Sequence, residues 1–228
     1  MFSLRTLWPF GGPARPWLDH YPAGVPANLE YPREPLGWLL ENAAARFPGR
    51  VACRYYSQRI TYDEMLSRAR RLAALLVREG LQPGDRVALL LPNLPEYIIT
   101  LFGTWMAGGV VVALSPLMIP EEVAALIKAT GCRIVVSLDV LAPLLRHPDH
   151  HPNLVLLTSL QGRLPWLEQL GYTWVRFQRN GFGHACNGAP VRVFDETIDA
   201  TRDVITPVAI DIEKPAYILP TGGTTGAP

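Results

Sequence analysis

Residues 86–137 alternate short apolar runs with longer helix-like segments, and this alternation limits the fold more than any other feature of the sequence. The runs VALLL, VVVAL and RIVVS lack polar alternation, which is typical of strands buried on both faces. Residues 94–107 and 121–130 are predicted helices, and Gly131 ends the second one. Strands that alternate with helices imply right-handed crossovers. We therefore predict an α/β fold with three neighbouring parallel strands here, in a mainly parallel sheet with helices on both faces.

Residues 61–80 have the clearest helical pattern, because their apolar side chains recur at helical spacing and the arginines occupy the other face. Thr61 with Glu64 three positions later is a capping-box pattern. Gly80 supplies the left-handed residue that commonly closes a helix.

Weaker patterns predict a helix at residues 36–47, a strand or hairpin at 51–61, a short helix at 139–146, a strand at 153–158 and a strand before residue 221. Residues 159–207 show no clear period, as in a surface excursion or an insertion that varies among relatives, and we assign no elements there. Because the sheet is expected to be incomplete, residues 87–91 or 216–219 are predicted to form an open apolar edge.

Residues 97–120 carry no charge and are long enough to span a bilayer. Gly108 and Gly109 interrupt this stretch, and β-branched residues follow them. We therefore predict a helix followed by a buried strand rather than a membrane span.

The chain has 228 residues, 49% of them hydrophobic and 18% charged, with a formal net charge of +1. This composition favours one globular domain or slightly more. The arginines are scattered, so the sequence indicates neither a nucleic-acid partner nor an anionic membrane surface.

The three cysteines, Cys53, Cys132 and Cys186, are far apart and have no CxxC spacing, which predicts reduced, buried thiols in a cytoplasmic setting. The N-terminus lacks the pattern of a signal peptide. Its aromatic residues leave peripheral contact with a membrane open.

Two groups of polar residues invite a functional interpretation. His147, His150 and His151 lie close together, but the prolines around them favour a solvated loop, and we predict no metal site. The pairs Asp63–Glu64 and Glu121–Glu122 fall in first turns of predicted helices, where carboxylates complement the helix dipole. We assign no catalytic residue.

The chain finishes with YILPTGGTTGAP, an apolar strand that runs into a glycine- and threonine-rich turn. Its glycines allow several backbone N–H groups to approach one anion, and its threonine hydroxyls add donors, so the turn suits a polyphosphate. The six residues concerned are Thr221, Gly222, Gly223, Thr224, Thr225 and Gly226. The spacing matches neither the Walker pattern nor GxGxxG.

The segment TGGTTGAP resembles the phosphate-binding signature of the adenylate-forming enzymes, the AMP-forming acyl-CoA synthetase family. The blocks RITYDEM, GLQPGDRVALLLPNLPEY and FGTWMAGGVVVALSPLMIPEEVAALIKATGCRIVV look like the N-terminal half of such a ligase. WLDHYPAGVPANLEYP and the double glycine of the turn are most similar to the long-chain fatty-acid branch.

The resemblance implies a reaction in which a fatty acid and ATP form an acyl adenylate and pyrophosphate, after which coenzyme A displaces AMP. It implies ATP, Mg²⁺ and coenzyme A as cofactors, and residues 221–226 as the ATP-phosphate loop. It also implies an arm at residues 1–34 and part of the large N-terminal adenylation domain at 35–228, without the C-terminal domain.

The chain departs from the family pattern at two positions. Pro220 stands where an aromatic residue is common, and the lysine that follows the position of Pro228 is absent. The resemblance also places the adenine and acyl pockets and a C-terminal domain with a catalytic lysine after this loop. Because these parts are missing from the sequence, we expect an N-terminal fragment that is inactive alone. Two alternatives stay open: a non-catalytic scaffold or split-enzyme partner chain, and a ligase for another carboxylic acid.

Overall fold

A computed structural model of the protein describes residues 15–149, 151–180, 190–202 and 208–220. Its contacts divide the chain into two compact units, Met1–Arg33 and Glu34–Pro228. In the first unit, a 3-10 helix spans Pro16–His20, and Arg15 Nη1 donates a hydrogen bond to Asn28 Oδ1 (2.7 Å).

The second unit is built from alternating strands and helices. In chain order these are α1 (Gly37–Arg46), β1 (Val51–Tyr55), β2 (Gln58–Thr61), α2 (Tyr62–Arg78), β3 (Arg86–Leu90), α3 (Pro95–Met106), β4 (Val110–Ala113), α4 (Pro120–Thr130), β5 (Ile134–Leu138), a 3-10 helix (Asp139–Leu145), β6 (Leu154–Thr158), α5 (Trp166–Asn180), β7 (Val191–Val193), α6 (Phe194–Asp199) and β8 (Tyr217–Ile218).

Six strands of the described residues form one parallel sheet in the order β7-β6-β5-β3-β4-β8. The three strands of residues 86–137 are neighbours, with Val87 aligned to Val111 on one side and to Ile134 on the other. The predicted α/β sheet is therefore confirmed. β1 and β2 form a separate antiparallel hairpin, as the sequence pattern of residues 51–61 allowed.

The helices cover both faces of this sheet. The connections through α3 and α4 run in opposite directions along the strand order, and right-handed crossovers place such helices on opposite faces. The contacts between the helices agree with this placement. α1, α2, α3 and α6 pack together, whereas α4 and α5 both pack on the 3-10 helix Asp139–Leu145.

α2 and α3 approach each other unusually closely at Gly103. A β-carbon there would lie 2.9 Å from both the carbonyl oxygen of Ala69 and Cδ2 of Leu72. Ala69 and Leu72 are completely buried, so neither can move aside. Glycine is therefore the residue that fits this contact.

The ends of α2 follow the predicted signals. Thr61 Oγ1 accepts a hydrogen bond from Glu64 N, and the Glu64 carboxylate accepts one from Thr61 N, which completes the capping box. Gly80 has a φ of 88° just after the helix. Helix α3 followed by strand β4 likewise confirms the prediction for residues 97–120, and within the described ranges no helix is long and apolar enough to cross a membrane.

The region 159–207, for which the sequence analysis assigned no elements, contains α5, β7 and α6 in its described parts. β3 lies in the middle of the sheet between β5 and β4, so residues 87–91 form no open edge. β8 does lie at one end of the strand order, with β4 as its neighbour.

Candidate functional site

The carboxyl ends of the six parallel strands meet at one edge of the sheet. The segment after β3 leads to α3 on one face, whereas the segment after the adjacent β5 leads to the 3-10 helix associated with the other face. Adjacent strands whose connections diverge in this way form a topological switch point, and open α/β sheets bind ligands outside the strand carboxyl ends there. This edge is the candidate functional site.

β8 is held in place by three contacts. Ala216 O accepts hydrogen bonds from Val111 N (3.0 Å) and from Trp105 Nε1 (2.8 Å). The hydroxyl oxygens of Tyr97 and Tyr217 lie 2.5 Å apart. Burial and this hydrogen bond raise the pKa of Tyr97, so its hydroxyl keeps its proton for the contact. These contacts direct the chain after Ile218 toward the carboxyl edge of the sheet.

The predicted phosphate loop, Thr221 to Gly226, lies outside the described residues. The last described residues before it are Leu219, which is 64% exposed, and Pro220. The loop follows β8 directly in the sequence. The arrangement of its N–H and hydroxyl donors stays a prediction.

The segment after β4 is the nearest neighbour of β8 at this edge, because β4 and β8 are paired in parallel. Leu117 in this segment is 94% exposed. Its backbone is ordered by hydrogen bonds from Leu117 N to Ser115 Oγ (3.2 Å) and from Ile119 N to Glu122 Oε2 (3.1 Å). An exposed apolar residue therefore flanks the point where the chain leaves β8.

A buried ion-pair network lies beside the switch point, and the sequence patterns did not predict it. Glu96, at the start of α3, is only 1% exposed and pairs with Arg163, from the segment after β6. Arg163 also pairs with Asp195 of α6 (2.5 Å), and Asp195 pairs with Arg68 of α2. The network thus ties three helices to one loop.

The chemistry of this network is structural. Burial alone would lower the pKa of Arg163, but the carboxylates of Glu96 and Asp195 outweigh it and raise the pKa overall. Arg163 therefore stays cationic at the centre of the network. The network positions the loop after β6 against α2, α3 and α6.

The carboxylate pairs singled out in the sequence lie at helix starts, as predicted. The hydrogen bond from Thr61 N is the main reason that the pKa of Glu64 is lowered. Glu122 caps α4 through Ile119 N. Glu64 and Glu122 therefore cap the helices in which they lie.

The cysteine and histidine side chains in the described ranges supply no reactive or metal-binding group. Cys132 is buried and Cys53 is half-buried, both are free thiols, and burial raises the pKa of each. His150 and Cys186 lie outside the described residues. Within the described ranges, no three His, Cys, Asp or Glu side chains lie close enough together to hold a metal ion.

Comparison with known proteins gives a consistent family. A family model described as AMP-binding enzyme matches residues 40–228. The chain is 33% identical over 220 residues to a long-chain-fatty-acid–CoA ligase from Bacillus subtilis, in an alignment that covers 94% of this chain and 39% of the relative. The chain thus spans well under half the length of this relative.

Solved structures share the fold. The apo structure of MbtA from Mycobacterium smegmatis is 29% identical with a TM-score of 0.65, and the match covers 86% of this chain and 33% of that one. An anthranilate CoA ligase in complex with anthranoyl-AMP has a TM-score of 0.69 at 17% identity, with the same coverage, and supports the fold alone.

Proposed function

Because the chain belongs to the AMP-binding enzyme family, we propose that it forms the N-terminal part of an AMP-forming long-chain fatty acid–CoA ligase. In the proposed reaction, a carboxylate oxygen of the fatty acid attacks the α-phosphorus of ATP and pyrophosphate leaves. The thiol of coenzyme A, losing its proton, then attacks the acyl carbon and AMP leaves.

The observation that carries this proposal is the placement of β8. Its pairing with β4 and the hydrogen bonds to Ala216 bring the chain to the carboxyl edge immediately before the glycine–threonine turn. Phosphate groups bind to such turns at the ends of parallel strands, because several N–H groups converge there. The family match includes this part of the chain.

In this proposal the chain contributes charge stabilisation and no nucleophile. The backbone N–H groups and hydroxyls of Thr221 to Gly226 bind the β- and γ-phosphates and stabilise the charge that develops on the leaving pyrophosphate.

The proposed organisation is an arm at residues 1–34 and part of the adenylation domain at 35–228. The cytoplasmic setting indicated by the cysteines stays a prediction.

The isolated chain is proposed to be inactive and to bind ATP weakly. About four charge-assisted hydrogen bonds contribute roughly 6–12 kcal/mol in total. Lost translational and rotational freedom of the ligand costs about 4–15 kcal/mol. The two terms nearly cancel, so ATP affinity depends on contacts from the larger part of the ligase that this chain does not match.

The acid is the least constrained part of the proposal. The long-chain assignment rests on the 33% identity to the Bacillus subtilis ligase. An anthranilate CoA ligase shares the fold at 17% identity, and this likeness does not select the acid.

The proposed loop can be tested in a chimera that joins this chain to the part of the Bacillus subtilis ligase that follows the matched segment. Replacing Thr224 and Thr225 by alanine is expected to lower kcat/KM for palmitate by about 100-fold or more, because hydroxyl donors to the phosphates are lost. Thr173→Ala, on the exposed side of α5, is the matched control and should leave kcat/KM unchanged. Equal activity of the loop variant and the control contradicts the assignment.

A further inference from the structure

Helix α3 contacts the chain around β8 at two points, one near each end of the helix. Near its carboxyl end, Trp105 Nε1 donates a hydrogen bond to Ala216 O (2.8 Å). In its first turn, the hydroxyl oxygen of Tyr97 lies 2.5 Å from that of Tyr217. The two contacts are separated by about 12 Å along the helix axis, at 1.5 Å per residue. Two contacts so far apart fix the direction of β8 as well as its position.

α3 is a rigid support for these contacts. Ile99 and Thr100 are completely buried, and α2 lies so close to Gly103 that a β-carbon there would meet the backbone of Ala69. β8, by contrast, pairs with β4 through only two residues. Segments with so few backbone hydrogen bonds open easily. The orientation of β8 therefore depends on its contacts with α3.

Tyr217 lies close to the proposed phosphate loop along the chain. Thr221 is the fourth residue after it, so an extended chain separates the two by at most about 14 Å. The loop binds the β- and γ-phosphates only when its N–H groups point at them. A displacement of about 1 Å can lower the rate of an enzyme about 100-fold. The direction of β8 thus bears on the reaction assigned to the loop.

The Tyr97 hydroxyl is suited to holding its partner. Burial and the hydrogen bond to Tyr217 raise the pKa of Tyr97, so the hydroxyl keeps its proton. Phenylalanine would fill nearly the same space without this contact. Because the Tyr217 ring is 39% exposed, its hydroxyl would then turn to water as a partner. The ring, and with it β8, would lose one of its two contacts with α3.

We propose that Tyr97 is a positioning residue for the phosphate loop, because its hydroxyl holds Tyr217 and thereby sets the direction in which the chain leaves β8. The inference rests on the proposed function, since it assigns Tyr97 to the ATP-dependent step of that reaction. This step is the formation of the acyl adenylate, in which pyrophosphate leaves. The second step no longer involves the β- and γ-phosphates, so Tyr97 should not affect it.

The two half-reactions of the chimera with the Bacillus subtilis ligase separate this role from a general loss of structure. Adenylate formation is followed as exchange of labelled pyrophosphate into ATP, with palmitate and without coenzyme A. Thioester formation is followed from synthetic palmitoyl adenylate and coenzyme A. Tyr97→Phe should slow the first about 5- to 100-fold, the range between loss of one hydrogen bond and a displacement of about 1 Å. The second should be unchanged.

Two further variants show whether the hydroxyl pair is the cause. Tyr217→Phe should slow adenylate formation as much as Tyr97→Phe, and the double variant should be no slower than either, because all three remove the same contact. Tyr172→Phe is the matched control, since it removes a tyrosine hydroxyl that donates to the Asp139 carboxylate. It should leave the ratio of the two half-reactions unchanged, even where thermal unfolding shows a loss of stability.

Hydrogen exchange in the 228-residue chain tests the contact without any activity. Tyr97→Phe should speed exchange at the Ile218 amide about 5-fold, as expected for one hydrogen bond, and leave the amide of Leu89 in β3 unchanged. Unchanged exchange at Ile218, or equal slowing of the two half-reactions, overturns the proposal.

The outcomes also distinguish this inference from the proposed function. An active chimera in which Tyr97→Phe behaves like Tyr172→Phe overturns the inference alone. A wild-type chimera that forms no palmitoyl adenylate contradicts the proposed function and removes the inference with it.

Discussion

The indole nitrogen of Trp105 donates a hydrogen bond to the carbonyl oxygen of Ala216, at 2.8 Å. This bond joins α3 to the residue just before β8, across 111 positions of sequence. β8 pairs with β4 through only two residues. A side chain on a neighbouring helix therefore contributes directly to the placement of the strand that precedes the proposed phosphate loop.

Trp105→Phe keeps the aromatic ring and removes this donor. The expected loss is about 1 kcal/mol in the free energy of opening β8, as for a typical hydrogen bond. Hydrogen exchange at the amides of Tyr217 and Ile218 measures it, and Trp166→Phe, on the exposed side of α5, is the control. Unchanged exchange in Trp105→Phe would show that the β4–β8 pairing alone holds the strand.

Arg163→Met is expected to destabilise the fold by about 3–5 kcal/mol in urea unfolding, because Glu96 is left buried and unpaired. The double variant Glu96→Met/Arg163→Met should regain most of this loss. Arg70→Met is the matched control, since its pair with Glu41 (3.1 Å) is exposed and should contribute less than about 1 kcal/mol. If the double variant loses as much free energy of unfolding as the two single variants together, the charge explanation is contradicted.

Glu64→Gln tests the capping box through its pH dependence. The pKa of Glu64 is lowered in the folded chain, mainly by the hydrogen bond from Thr61 N. The charged carboxylate therefore stabilises the fold above its ordinary pKa near 4.5, and this contribution is lost as pH falls through the folded pKa.

The free energy of unfolding of the wild type should thus exceed that of Glu64→Gln by about 0.3–1 kcal/mol near pH 7, and the difference should be smaller at pH 3. Thr61→Ala should be destabilised at both pH values, by about 1 kcal/mol, because its hydroxyl accepts from Glu64 N regardless of pH. The loss should be larger near pH 7, where the same hydroxyl also donates to the charged Glu64 carboxylate. Urea unfolding at the two pH values provides the comparison. A constant gap between wild type and Glu64→Gln is incompatible with a charge effect.

Two glycine-to-alanine substitutions should change the stability of the fold in opposite directions. Gly103→Ala is expected to cost about 1–3 kcal/mol, because the new methyl group meets Ala69 O and Leu72. Gly171→Ala on α5 has nothing within 4 Å and should stabilise the fold by up to about 1 kcal/mol. Thermal unfolding of both variants tests the pair, and a tolerated Gly103→Ala would mean that α2 and α3 are packed more loosely than described.

The elements that could be predicted from the sequence are those whose apolar side is the buried side. β3, β4 and β5 are buried along nearly their whole length, so their unbroken apolar runs were sufficient to predict them as strands. α2 combined such a face with local end signals at Thr61 and Gly80.

α5 was missed although its apolar residues recur at helical spacing; the part that the sequence could not reveal is that its apolar side is the exposed one. The spacing of Trp166, Leu170 and Trp174 was the available signal. The Glu96–Arg163 and Arg163–Asp195 pairs join residues 67 and 32 positions apart, and no local pattern links them. Residues 221–226 were assigned to the phosphate loop by resemblance to a known family. Physical reasoning from the local sequence alone could not make this assignment.

The central claim is that this chain forms part of a ligase that activates its acid as an acyl adenylate. The most direct measurement follows palmitate labelled with ¹⁸O in its carboxyl group, converted to palmitoyl-CoA by the chimera with the Bacillus subtilis ligase. The account predicts that AMP is released and carries one ¹⁸O atom, because the bridging carboxylate oxygen leaves with AMP. A folded chimera that releases ADP with labelled phosphate, or no nucleotide product at all, would contradict it.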